Sequence, residues 1–183
     1  EWFDTDGDGT GNNADTDDDN DGLNDTTEAS SDPVTNSTNP DTDGDGYCDG
    51  PVNITDVCDA TDAFPTDETE WLDTDGDEIG NNADPDDDND GYNDTMELSE
   101  GSEPLDSESI PLDTDHDKVP DSIDTDDDND GLSDEDEATL GSDPLIIDTD
   151  ADGIPDNWDP LPIDPNGDFD EDGKLDSEEY NPA

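Results

Sequence analysis

One twelve-residue phrase recurs through this sequence and constrains what the chain can fold into. It reads Asp-x-Asp-x-Asp-Gly, with a further acidic residue at position 9 and another at position 12. It is complete at Asp17–Glu28, Asp86–Glu97, Asp126–Glu137 and Asp168–Glu179. Near-copies ending in Asp run over 4–15, 73–84, 113–124 and 148–159, and a ninth opens at Asp41 but has Val52 at position 12. The copies are in phase, because in three places the second phrase starts 13 residues after the first: at 4 and 17, 73 and 86, 113 and 126. Glu1-Trp2-Phe3-Asp4-Thr5-Asp6 also returns as Glu70-Trp71-Leu72-Asp73-Thr74-Asp75. Self-similarity at fixed spacing marks a repeat array. It divides the chain into modules at 1–40, 70–112 and 113–147, a cysteine-containing connector at 41–69, and a C-terminal stretch at 148–183.

Composition shows what such an array lacks. Of 183 residues, 64 are Asp or Glu and 2 are Lys or Arg, a formal charge of −62, while 23% are hydrophobic. So little apolar surface cannot offset chain entropy, and so many like charges drive a compact state apart. Left alone in water, the chain reads as disordered. Lys118 and Lys174 are the only cationic side chains besides any charge on His116, so nucleic-acid phosphates and anionic membrane surfaces are repelled. No apolar run approaches the ~20 residues of a membrane span, and none reads as a signal peptide. The chain opens on Glu1, and the expectation is a mature chain or a segment of something longer. His116, the one histidine, sits between Asp115 and Asp117, so base, nucleophile and electrophile are all wanting and no catalysis is expected.

The spacing inside each phrase supplies the missing stabiliser. Oxygen ligands at positions 1, 3, 5, 9 and 12, Gly at the sharp turn of position 6 and a backbone carbonyl at position 7 make the twelve-residue calcium loop. The ligand sets of the complete loops are Asp17, Asp19, Asp21, Asp25 and Glu28; Asp86, Asp88, Asp90, Asp94 and Glu97; Asp126, Asp128, Asp130, Asp134 and Glu137; and Asp168, Asp170, Asp172, Asp176 and Glu179. The near-copies offer Asp4, Asp6, Asp8, Asn12 and Asp15; Asp73, Asp75, Asp77, Asn81 and Asp84; Asp113, Asp115, Asp117, Asp121 and Asp124; and Asp148, Asp150, Asp152, Asp156 and Asp159. The ninth retains Asp41, Asp43, Asp45 and Asp49. Hard oxygens in this number suit Ca²⁺, whereas Mg²⁺ keeps its waters and soft metals want nitrogen or sulfur. About eight to ten calcium ions per chain follow from counting loops. The rival reading, a solvated acidic tail or halophilic surface, leaves the glycine at nearly every sixth position unexplained. Glu78 and Lys118 break that rule, and a Cβ there strains a turn wanting positive φ.

These loops follow one another too closely for entering helices, as at Asp15-Thr16-Asp17, and their apolar residue falls at position 7 (Leu23, Ile79, Tyr92, Val119, Leu132, Ile154). The tandem spacing and the Asp-Thr-Asp-Gly-Asp-Gly phrase resemble thrombospondin type-3 repeats, especially the bacterial and archaeal versions. The resemblance covers most of residues 4–159 and implies an irregular, elongated array wrapped around calcium ions, with little regular secondary structure and loops that share ligands. The Cys-Pro pairs of the animal repeats are missing, and module boundaries read Gly141-Ser142-Asp143-Pro144-Leu145 instead. The last loop, Asp168–Glu179, puts Leu175 at position 8 and resembles an EF-hand half.

Short helical turns are expected at Asp134–Leu140 and Asp94–Ser99, stopped by Gly141 and Gly101 as left-handed caps. Position-7 residues with Trp2, Trp71 and Trp158 are expected to form small apolar clusters, an exposed aromatic binding platform being the alternative. Cys48 and Cys58, ten apart, read as a disulfide in an oxidising compartment, with free thiols as the alternative. Closing so short a loop stabilises by about 3 kcal/mol and compensates locally for the ligand missing at position 12. Asn24, Asn36, Asn53 and Asn93 open Asn-x-Ser/Thr sequons, so covalent glycans are a further expectation. The chain thus reads as an extracellular or cell-surface calcium-binding structural module: a rod, stalk, matrix or filament segment that folds with its ions and self-associates. A calcium-dependent adhesion or ligand-binding domain is the alternative. A calcium-triggered sensor is disfavoured because Met96 is the only methionine and cannot make a Met-rich groove.

Overall fold

A computed structural model describes residues 3–170 and 172–180. Regular structure is sparse, as expected of an irregular repeat array. Helix α1 spans Asp25–Glu28, α2 Asp94–Glu100, α3 Asp134–Leu140 and α4 Asp176–Glu179; strands β1 (Tyr47–Cys48) and β2 (Asp59–Thr61) form one short parallel ladder. Each helix begins where a twelve-residue loop reaches position 9. The residue before it caps α1 and α3: Asn24 accepts the Thr27 N–H, and Ser133 accepts the Asp136 N–H. Acidic side chains crowd the first turn of α3 (Asp134, Glu135, Asp136, Glu137), where the helix dipole favours them. Gly101 (φ 90°) and Gly141 (φ 93°) stop α2 and α3 in the left-handed conformation that glycine adopts without Cβ cost.

The chain divides into two compact units, Glu1–Thr95 with Glu103–Glu108, and Met96–Ser102 with Ser109–Ala183. Neither has an ordinary core. The buried hydrophobic residues described are Cys48, Cys58, Tyr92 and Ile154, whereas Asp18, Asp19, Asp21, Glu28, Glu97, Asp128, Glu137, Asp156 and other acidic groups are buried beside them. The apolar clusters form only in part. Tyr47 stacks on Trp71 with ring centroids 5.2 Å apart. At position 7, Tyr92 and Ile154 are buried, Leu23, Val119 and Leu132 half-buried, and Ile79 exposed. Trp158 departs from expectation: it is 68% exposed, because its neighbours Asp156 and Asp159 turn inward and leave the indole outside. Trp2, expected in one of the apolar clusters, lies outside the described residues, as does Glu1, and Phe3 beside them is 68% exposed. Cys48 and Cys58 are joined in a disulfide.

Candidate metal centres

The loops are held in shape by their own carboxylates, and the same bonds recur in all nine. The position-1 aspartate accepts the N–H of position 6 (for example Asp17 from Gly22, 3.2 Å; Asp168 from Gly173, 2.8 Å). The position-3 aspartate accepts the N–H of position 5, as Asp128 does from Asp130 at 3.0 Å. Position 5 accepts from position 7, as Asp130 does from Leu132 at 2.6 Å. Position 9 reaches back to the N–H of position 2, as Asp25 does to Asp18 at 3.1 Å and Asn12 to Thr5 at 3.1 Å. An amide oxygen accepts as well as a carboxylate, which is why Asn12 and Asn81 serve there. Position 4 is left-handed too: Gly7, Asn20, Gly44, Gly76, Asn89, His116, Asn129 and Ala151 all have φ between 55° and 87°. Sequence reasoning marked only position 6, although Gly and Asn predominate at position 4 as well.

At position 3 of seven loops, and at position 1 or 5 of several, these bonds occupy one carboxylate oxygen and leave the other buried, whereas Asp4, Asp41, Asp73, Asp113 and Asp168 have both oxygens bonded to backbone N–H groups. Asp17 Oδ1, Asp19 Oδ2, Asp21 Oδ2, Asp43 Oδ2, Asp45 Oδ2, Asp75 Oδ2, Asp115 Oδ2, Asp126 Oδ1, Asp128 Oδ2, Asp148 Oδ1 and Asp150 Oδ2 are buried without a hydrogen-bond partner. Carboxylate oxygens of Asp4, Asp6 and Asp8, of Asp17, Asp19 and Asp21, of Asp41, Asp43 and Asp45, and of Asp73, Asp75 and Asp77 lie within 4.8 Å of one another in each set. Bringing like charges together out of water pushes their pKa values up. Burial first, then Asp21, raises Asp19 to about 7; burial, then Asp19 and Asp21, raises Glu28 to about 7; burial, then Asp128 and Asp130, raises Glu137 to about 7. Buried orphan oxygens at this density need protons or a cation. An all-oxygen set on a loop whose carboxylates are oriented by their own backbone N–H groups fits a hard divalent ion of calcium's size.

Position 12 falls into three kinds in seven of the loops; of the other two, the Asp41 loop has Val52 there, and Asp159 is buried and accepts the Leu161 N–H at 2.7 Å. Glu28, Glu97 and Glu137 are fully buried, and each accepts a hydroxyl from the following segment: Thr35 (3.2 Å), Ser102 (3.3 Å) and Ser142 (3.3 Å). Asp15, Asp84 and Asp124 instead face the next loop, where each takes the N–H of its position 1 (Asp17, Asp86, Asp126). Glu179 differs from the other glutamates. It is exposed and accepts Lys174 Nζ at 2.8 Å, since Lys174 at position 7 puts a cation within its reach. α4 has only four residues, so the EF-hand-like loop has no long exiting helix among the described residues.

Other acidic residues surround the loops. Asp18, Asp87 and Asp127, at position 2 of the three buried-glutamate loops, are buried, and each has an Oδ1 without a partner. They face Asp25 and Asp15, Asp94 and Asp84, and Asp134 with Asp121 and Asp124 respectively, in a second acidic cluster at each tandem junction. The triple Asp run that opens these loops was the available signal. Modules also interlock: Asp49 joins Asp21 and Glu28 in one cluster, and Asp156 lies against Glu137 and Asp128. The Val52 N–H donates to Asp21 O at 2.7 Å, and the Asn157 N–H to Asp130 Oδ2 at 2.9 Å, so a backbone N–H is spent at each of these two junctions.

Residues 17–31, 86–107 and 126–145 match the family model of the bacterial TSP3 repeat. Three segments of the chain thus match the bacterial thrombospondin type-3 repeat, as the loop spacing led us to expect. The three TSP3 matches begin at the three loops with Asp at position 2 and a buried glutamate at position 12. Comparison with curated proteins returns no match. TSP3 repeats are structural calcium-binding repeats rather than an enzyme family, and proteins that carry them are usually extracellular. No helix among the described residues is long and apolar enough to cross a membrane.

Proposed function

We propose that the chain is an extracellular structural segment of a rod, stalk, matrix or filament whose fold exists only with calcium bound. One observation carries the reading: in seven of the nine loops the position-3 aspartate has a buried carboxylate oxygen with no hydrogen-bond partner. The aspartates at positions 1, 3 and 5 and the carbonyl of position 7 would hold each ion, joined by Glu28, Glu97 or Glu137 where position 12 is a buried glutamate. Position 9 braces the loop and is available to a neighbouring ion. Calcium supplies the charge neutralisation that the chain lacks and needs no chemical step. In a repeat array each unit buries surface only against its neighbours, and this supports an elongated element that associates through its ends. The four sequon asparagines are exposed and could carry glycans without disturbing a buried ligand. The adhesion reading draws on Trp158, an exposed indole that no packing requirement accounts for.

Metal analysis should find roughly eight to ten calcium ions per chain, following the loop count. Chelation should give a disordered circular-dichroism spectrum and a large rise in hydrodynamic radius, since metal binding and folding are one equilibrium. A chain that keeps its radius in excess chelator, or binds only two or three ions, refutes the reading.

A further inference from the structure

The ninth loop breaks the pattern at its end. Val52 occupies position 12, is 43% exposed, and its backbone N–H is spent on Asp21 O. The chain then makes an excursion that no other repeat has. Residues Ile54 and Cys58 pair antiparallel around a turn in which Asp56 has φ 66°. The disulfide ties Cys58 to Cys48, position 8 of the loop, and β2 runs parallel to β1 with the Asp59 N–H on Gly46 O at 2.8 Å. The next bond in this register is Asp62 N–H to Cys48 O, also 2.8 Å. The excursion thus returns the chain to the mouth of the loop it left, and the residue it brings there is an aspartate.

Asp62 is arranged as the loop ligands are. Its Oδ1 accepts the N–H two residues on, Phe64 at 2.7 Å, as Asp19 accepts from Asp21. Its Oδ2 is buried without a partner on a residue only 5% exposed, and Asp43 Oδ2 and Asp45 Oδ2 are buried without partners as well. The groups that act on it match in kind those acting on a position-12 glutamate. Glu28 feels positions 3 and 5 of its loop and then Asp49; Asp62 feels Asp45 and Asp43, positions 5 and 3 of its loop, and then Asp49. We propose that Asp62 stands in for position 12 of the Asp41 loop, closing a calcium site with Asp41, Asp43 and Asp45, and that the Cys48–Cys58 disulfide holds it there. The excursion replaces a ligand adjacent in sequence with one delivered by tertiary structure, so this site's affinity depends on the disulfide where the others do not. This rests on the calcium reading above.

A local reporter is built in, because Tyr47 at position 7 of this loop stacks on Trp71. The experiment follows Trp71 emission during calcium titration of the full chain, in a Trp2→Phe, Trp158→Phe background. Asp62→Asn should raise the midpoint at least tenfold, while Asp59→Asn, which removes the same charge from an exposed residue three positions away, should not move it. Reduction of the disulfide should shift the midpoint in the same direction and add little to Asp62→Asn, as expected of two changes acting on one contact. Equal midpoints for the Asp62 and Asp59 variants overturn the ligand assignment. A reduced chain that titrates like the oxidised one overturns the role of the disulfide. If the parent chain shows no calcium response at all, the calcium reading itself fails, a result distinct from both.

Discussion

Stripped of calcium, this chain should become more stable on acidification, the reverse of most proteins. Glu28 and Glu137 have no exposed surface and are pushed from 4.5 up to about 7, by burial first and then by the carboxylates beside them. A folded-state pKa above the unfolded value means that folding disfavours the ionised form. The penalty is absent below pH 4.5, grows between 4.5 and 7, and is full above 7. At about 1.4 kcal/mol per pH unit it reaches about 3 kcal/mol for each glutamate, or on the order of 2 once nearby solvent screens part of it. Asp19 is likewise raised to about 7, and Asp62, Asp87, Asp127 and Asp128 to about 6, each at most 9% exposed. Together they are comparable with the roughly 5–15 kcal/mol that holds an ordinary domain folded. The assay is hydrodynamic radius and circular dichroism of the calcium-depleted chain between pH 7.5 and 5. The radius should fall and helical signal should appear as these groups take up protons. A Glu28→Gln, Glu137→Gln chain, uncharged at both sites at every pH, should show a shallower dependence, which separates buried carboxylates from general charge repulsion. A depleted chain as expanded at pH 5 as at 7.5, or a double variant with the parent's full pH dependence, would refute this account.

Two further outcomes follow from particular loops. Glu137→Gln removes a buried, two-oxygen ligand and should raise the calcium midpoint of its unit by about 10²-fold, or ~3 kcal/mol, whereas Asp124→Asn, half-buried and already spent in part on the Asp126 N–H, should cost less; equal midpoints in isothermal titration would show that the terminal glutamate does not set affinity. Glu78 holds φ 77° at a position that is glycine in seven of the nine loops, so Glu78→Gly should stabilise the calcium-loaded chain by about 1 kcal/mol in urea unfolding, and a loss of stability would argue that the Glu78 side chain has a task of its own.

The repeating phrase by itself determined most of this protein. Loop carboxylates, loop length, position-6 geometry, the helical turns ending at Gly101 and Gly141, and the scarcity of regular structure are all local, because a twelve-residue loop satisfies its backbone with carboxylates no more than seven residues away. Even Glu78 and Lys118 take the strained φ that their position dictates. What the tertiary structure decided is every contact between loops. Asp18, Asp87 and Asp127 are buried beside the preceding loop's last aspartate, which reaches the next loop's first N–H, and the triple Asp run marks the residues but not that contact. Glu28 and Glu179 end phrases with the same acidic spacing, yet one is sealed beside Asp49 and the other is held by Lys174 at the surface. Asp62 lies 21 residues from Asp41, outside any loop template, and reaches its place through a disulfide and two short strands. Local rules place the carboxylates of one loop, but burial and charge come from whichever segments pack around it, and these are set by the path of the chain between loops.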